Sequence, residues 1–173
     1  MTGTDKREVQ SLPATGGVVA RLERYIETRR LDARILRLPA PMPTVAAAAE
    51  QMQVPPAAIA KTLVFTDDDG TLVVAVAPGD RRVLPDLLAA SVGTDVLRMA
   101  PRDAVLRMGY SPGAVAPVSF LHAVKVVVDD SLVARERVLA GGGEHDLLLD
   151  IAVSDIVACN RAVIAAITRG TSA

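Results

Sequence analysis

Apolar residues recur at every third or fourth position near the start of the chain, at Val18, Val19, Leu22 and Ile26, with Arg21, Glu23, Arg24 and Glu27 between them. That spacing predicts an amphipathic helix over 18–30. Apolar and charged residues then alternate over 33–38, as in an edge strand. Pro39, Pro41 and Pro43 break the pattern. Thr44 follows at the position of a helix N-cap, and a helix is predicted from 45 to 52, ended by Pro55 and Pro56. Residues 61–66 and 72–77 read as two buried strands, and Asp67, Asp68, Asp69 and Gly70 between them as a hairpin turn.

Short helices are predicted over 84–91 and 101–108, with a strand over 95–99 between them. Pro101 suits a first helical turn. Residues 109–117 hold two Gly and two Pro and read as a loop. Further strands are expected at 125–128, 137–140 and 146–151, with a turn at 131–134 and a glycine-rich link at 141–143. Ser154 is placed as the cap of a last helix running to about residue 168, with Ile156, Val157, Val163, Ile164 and Ile167 facing inward. The interspersed elements and the hairpin predict an α/β (α+β mixed) fold: a mixed, mostly antiparallel sheet or partial barrel packed by helices. There is no internal repeat and no visible domain boundary. Residues 1–16 are expected to be a flexible lead-in, and 17–173 one domain.

Composition sharpens this picture. Ala, Val and Leu supply 70 of the 173 residues, and the only aromatic rings are Tyr25, Phe65, Tyr110 and Phe120. The core is therefore aliphatic, and stacking of bases on aromatic platforms is excluded as a main binding mode. A net charge of −1 argues against coating duplex DNA or long RNA. Contact with a short single-stranded end stays open. Residues 1–40 carry eight basic and five acidic side chains, whereas 129–155 carry two basic and seven acidic ones. A lone cysteine, Cys159, excludes an intramolecular disulfide and a cysteine-based zinc cluster, and two histidines are few for a metal site. No metal and no cofactor are expected. No apolar run reaches the ~18–20 residues needed to cross a bilayer, and the polar N-terminus lacks a signal-peptide core. A reducing, cytoplasmic setting without membrane contact is expected.

Four places could carry chemistry. Lys61 heads a buried strand in a chain with 16 Arg and 3 Lys. A compact ammonium there could hold a phosphate, carboxylate or hydroxyl; otherwise it is a solvated lysine at a strand start. The loop at 109–117 presents bare backbone amides that could grip a carbonyl oxygen, or it is a structural turn. Asp129 and Asp130 close a strand, either as site residues or as turn formers. His145 follows Gly141, Gly142, Gly143 and Glu144, where it could shape a pocket or lie exposed. The glycines belong to no phosphate-binding fingerprint, Ser119 and Ser131 to no nucleophile elbow, and Cys159 reads as core.

Taken in order, these segments resemble the YbaK / prolyl-tRNA synthetase-associated editing domain family. The resemblance covers roughly residues 20–158. Its markers are TVAAAAE from Thr44, VPP from Val54, IAKTLVF from Ile59, VAVAPGD from Val74, GYSPGAVAP from Gly109, VVVD ending at Asp129, and AGG from Ala140. It implies hydrolysis of mischarged aminoacyl-tRNA, chiefly tRNA for proline. It implies that Lys61 helps to bind the aminoacyl-adenosine end, with Thr62 and Tyr110 nearby. Gly113, Ala114, Val115, Ala116 and Pro117 match the loop whose backbone positions the ester. Asp129, Gly142 and His145 match further substrate contacts. His145 resembles the pocket histidine of alanine-editing members, which favours Ala-tRNA(Pro), with cysteine or another small amino acid as the alternative. The implied partners are the acceptor end of the tRNA and a prolyl-tRNA synthetase, with the chain a monomer or weak homodimer and DNA no partner. Such hydrolysis needs neither metal nor protein nucleophile if the terminal ribose hydroxyl helps to activate water. The rival readings are a non-catalytic member that binds aminoacyl-adenosine-like ligands or a synthetase, and a regulatory domain unrelated to tRNA.

Overall fold

A computed structural model describes residues 17–170. The expected lead-in at 1–16 lies outside the described residues. Helix α1 (Val18–Arg29) leads into strand β1 (Ala33–Arg37) and helix α2 (Val45–Met52). A single 3₁₀ turn at Pro56–Ala58 precedes the hairpin of β2 (Ala60–Thr66) and β3 (Leu72–Pro78). The short β4 (Arg81–Val83), α3 (Pro85–Val92), β5 (Arg98–Met99) and α4 (Arg102–Arg107) follow. Then come β6 (Lys125–Asp129), β7 (Arg137–Gly141), β8 (Leu147–Ala152), α5 (Val153–Asn160), β9 (Val163–Ala165) and β10 (Thr168–Gly170).

The main sheet has the order β5-β2-β3-β6-β9. Its β5/β2/β3 side is antiparallel, while β3/β6 and β6/β9 run parallel. A second, antiparallel sheet has the order β1-β8-β7, and β10 pairs with β4. The two larger sheets meet where Ile59 bridges Leu139, so β7 turns past the start of β2. The architecture is the mixed α+β arrangement expected.

β3 is buried on both faces, which is why it reads as an unbroken apolar run. Val74 and Val76 face a large core with Leu22, Val126, Leu149 and Ile151. Val73, Ala75 and Ala77 face a smaller core with Leu88, Val127 and Ile167. α1 and α5 thus pack on one side of the main sheet, and α3 on the other.

Local signals did much of the placing. The Thr44 hydroxyl accepts from the Ala47 amide at 3.1 Å, capping α2 as predicted. The Asp67 carboxylate accepts from the Asp69 and Thr71 amides at 3.0 and 2.8 Å and closes the hairpin.

Two expectations are corrected. Only Arg98 and Met99 of the 95–99 segment pair as a strand, because β5 meets β2 over just two residues. The last helix ends at Asn160, not near 168, and its N-cap is Ala152 rather than Ser154. Arg161 turns left-handed (φ 49°), and Val163–Ala165 then pair in parallel with β6. Val163 and Ile164 are 42% and 48% exposed instead of facing inward, whereas Ile167 is buried. The β6 edge offers ladder hydrogen bonds that the β-branched Val163 and Ile164 take up more readily than helical ones.

Candidate functional site

A cavity of about 270 Å³ opens where β2, α2, the 109–118 loop and the β7–β8 turn converge. Of the predicted residues, Lys61, Thr62, Gly113, Ala114, Val115 and His145 line it together. Lys61 sits opposite Ala77 in the β2/β3 ladder, and its Nζ donates to the Arg81 carbonyl oxygen at the entry to β4. Burial holds the ammonium below the ordinary lysine value of 10.5, and the Asp80 carboxylate opposes that shift. The β3–β4 turn that carries Asp80 is fixed by Gly79. A Cβ there would stand 2.4 Å from Val45 Cγ1 and 2.9 Å from the Ile59 carbonyl oxygen. Only glycine lets α2 close on this turn.

The Thr62 hydroxyl is buried without a hydrogen-bond partner. Thr62 also lines a neighbouring groove of about 180 Å³, floored by Ala100, Val105 and Pro112 and rimmed by Met99 and Arg102. Leu63, Gly113 and Val115 border both spaces, so the Gly113 turn divides one cleft into two lobes.

That turn is built by local chemistry. Gly113 has φ +85°, and the Ala114 amide donates to the Ser111 carbonyl oxygen at 3.0 Å. The Ala114 carbonyl oxygen in turn accepts from the Gly143 amide at 3.0 Å, tying the loop to the β7–β8 turn. The backbone amides of Gly113 and Val115 donate to nothing among the described residues. Two residues with unspent amides therefore line a mainly apolar cleft beside an ammonium. Such donors can hold an oxygen that gains negative charge.

His145 lies on the turn before β8, two residues short of that strand. It is exposed, and its ring lies where a Cβ on Gly113 would meet it at 3.4 Å. Its carbonyl oxygen accepts from the Met42 amide at 2.9 Å.

Other predicted residues lie outside the cavity. Tyr110 is buried, and its hydroxyl donates to the Val118 carbonyl oxygen at 2.6 Å. Ala116 is part of the main core, and the Pro117 carbonyl oxygen accepts from the Asn160 side chain at 2.9 Å. Gly142 is buried, with its amide on the Leu147 carbonyl oxygen. Asp129 is fully buried. Its carboxylate accepts from the Ser131 amide and hydroxyl and from the Ile167 amide at 3.1 Å. These groups shape the elements around the cleft and do not line it.

Sequence reasoning missed one whole wall. Met42, Pro43, Thr44, Val45 and Ala48 close the cavity opposite the Gly113 turn, and Glu144 stands at its rim. The segment 39–43 read as a structure breaker because its prolines suit neither helix nor strand. Its place is set by two long-range bonds, Leu38 N to Asp146 O and Met42 N to His145 O. A third cavity, about 350 Å³ beside Lys125 and Arg161, holds none of the predicted site residues. No group of three His, Cys, Asp or Glu side chains suited to a metal occurs among the described residues. No described helix is long and apolar enough to cross a membrane.

The fold and cleft define a class: a mixed α+β domain whose cleft is lined by a Gly-containing turn and a lysine, with no Ser or Cys among the described residues that line it. The aminoacyl-tRNA editing domain family model matches residues 39–159, and the chain belongs to that family. A proline–tRNA ligase of Thermosipho africanus is 36% identical over 104 residues, which is 60% of this chain and 18% of the ligase. The chain thus spans about a fifth of the length of such relatives. Among solved structures, the hypothetical protein APE2540 has a TM-score of 0.80 at 33% identity, over 86% of this chain and 99% of its own. A candidate trans-editing enzyme for prolyl tRNA synthetase has a TM-score of 0.79 at 26% identity, over 88% of this chain and 97% of its own.

Proposed function

We propose that this chain is a trans-editing aminoacyl-tRNA deacylase, with residues 17–173 acting as one editing domain in the cytoplasm. Its substrate is mischarged tRNA for proline, alanine being the preferred amino acid and cysteine or another small residue the alternative. One observation carries this reading: Lys61, Gly113 and Val115 line a single small cavity, and the amides of the last two donate to nothing among the described residues. The relatives, which include proline–tRNA ligases and a candidate trans-editing enzyme, support it.

In this reading the aminoacyl group enters the 270 Å³ lobe, and the terminal nucleoside leaves over the groove rimmed by Arg102. The ester carbonyl oxygen takes the amides at the Gly113 turn. Lys61 holds the aminoacyl-adenosine end. A water oxygen bonds to the ester carbon while the bond to the ribose oxygen breaks. The neighbouring ribose hydroxyl helps to take the proton from water, and the departing ribose oxygen receives it. The products are a free amino acid and intact tRNA. Chain residues supply position and charge stabilisation only.

Editing by size fits this cavity, because a missing methylene is worth only about 1–3 kcal/mol to a synthetase and a second sieve improves the ratio. The acceptor end is the partner contact, and a proline–tRNA ligase is a candidate protein partner. Release of free amino acid from Ala-, Cys-, Ser- and Pro-charged tRNA tests the proposal. Release from Ala-tRNA ahead of the others is expected. Binding with every ester left intact would instead establish a non-catalytic binder.

A further inference from the structure

Helix α1 lies wholly outside residues 39–159, yet it touches both loops that form the cleft. Its Leu22 is fully buried in the main core, so the helix is fixed in rotation. Arg21, one residue earlier, is half-buried. Its Nη2 donates to the Gly109 carbonyl oxygen at 2.7 Å, and its guanidinium carbon lies 4.8 Å from the Tyr110 ring centre. Gly109 has φ +90°, and a Cβ there would stand 2.4 Å from Arg21 Nη1. The bare Cα is needed both for the backbone turn and to admit the guanidinium.

Tyr110 passes the constraint on. Its hydroxyl bonds the Val118 carbonyl oxygen, and its ring meets Phe120 edge-on at 6.1 Å. Residues 110 and 118 are thereby joined at the neck of a loop whose tip is Gly113. One turn earlier in α1, Val18 packs on Gly143, where a Cβ would lie 2.9 Å from Val18 Cγ2. The Gly143 amide holds the Ala114 carbonyl oxygen. One face of α1 therefore grips the Gly113 loop at its neck and, through Gly143, near its tip. Arg21 Nε is buried without a partner. An apolar side chain at this half-buried position could make neither the Gly109 hydrogen bond nor the cation–π contact with Tyr110.

We infer that Arg21 is a positioning residue: it fixes the 109–118 loop so that the amides of Gly113 and Val115 keep their aim. This rests on the deacylase reading for its kinetic arm. The test uses the full chain with Arg21→Met, which keeps bulk but removes the donors, and Arg21→Lys, which returns one donor and the charge. Amide hydrogen exchange at Ala114 and Gly143, melting temperature, and kcat and KM on Ala-tRNA are measured. Arg21→Met is expected to speed exchange at the bonded amides of Ala114 and Gly143 and to lower kcat about 10–100-fold, the cost of a misaimed group, with KM nearly unchanged. Arg21→Lys should recover part of kcat. Full kcat in a folded Arg21→Met chain, or a loss that vanishes well below its melting temperature, would overturn the inference. An inactive wild type would sink the deacylase reading alone. Exchange at Ala114 and Gly143 then decides the clamp: unchanged in Arg21→Met, it is refuted; faster, it stands.

Discussion

The His145 imidazole faces the bare Cα of Gly113: a Cβ placed there would meet its Cε1 at 3.4 Å and Nδ1 at 3.9 Å. The turn carrying the free amides and the residue walling the cavity are thus neighbours, although 32 positions apart in the chain. Shortening the wall should loosen the sieve. His145→Ala is expected to raise turnover of bulkier aminoacyl groups relative to alanine, by about 1–3 kcal/mol in transition-state binding. Competitive deacylation of Ala-, Cys- and Ser-tRNA reads this, and an unchanged ranking would remove His145 from specificity.

Gly113→Ala probes the same contact from the other side. The 3.4 Å approach is ordinary packing, so the strain comes from φ +85°. A left-handed alanine costs about 1–2 kcal/mol. The variant should fold with slightly reduced stability in urea titration and lose most of its kcat. Undiminished kcat would show that the turn's shape does not matter.

Lys61→Ala is expected to lower kcat/KM about 10²–10³-fold, as removing a charge-stabilising donor does, with little change in melting temperature. The pH dependence has a definite sign. Activity that needs the ammonium is level below the Lys61 pKa and falls as pH rises through it. Burial places that fall below 10.5. Lys61→Arg keeps its charge and should move the fall upward. Stability follows the same group: the unfolded chain holds this proton more tightly, so stability rises with pH across the window between the folded and unfolded pKa values. An alkaline limb identical in wild type and Lys61→Arg would dissociate Lys61 from the profile.

Asp129→Asn separates structure from substrate contact. The buried carboxylate accepts from Ser131 and from the Ile167 amide, and an amide group cannot replace every acceptor. A loss of about 1–3 kcal/mol in stability is expected, with KM for Ala-tRNA unchanged in the folded fraction. A raised KM at full stability would make Asp129 a substrate contact.

Chelators should leave the rate unaltered, because no donor set of the kind zinc requires is gathered among the described residues. Inactivation by EDTA that zinc reverses would contradict the mechanism.

Local rules placed the elements whose causes are local. Thr44 caps α2 because a hydroxyl at that spacing reaches the Ala47 amide, and Asp67 and Gly70 close the hairpin by their own turn chemistry. The lysine at the head of β2 and the Gly-rich loop were legible as residue types whose chemistry is short-ranged. The residues around Val163 were not, since a short apolar run fits a helix or a strand, and pairing with β6 decides between them. The cleft itself was decided by tertiary structure. Its second wall, 42–48, depends on Met42 bonding to His145, and its loop depends on Arg21 reaching Gly109 across 88 positions. Whether Asp129 faces a substrate or a backbone amide is likewise set by where β10 is approached, at Ile167. Spacing along a chain fixes which groups share a face. Which faces meet is set by burial and by hydrogen bonds closed over long loops, and no local pattern encodes these.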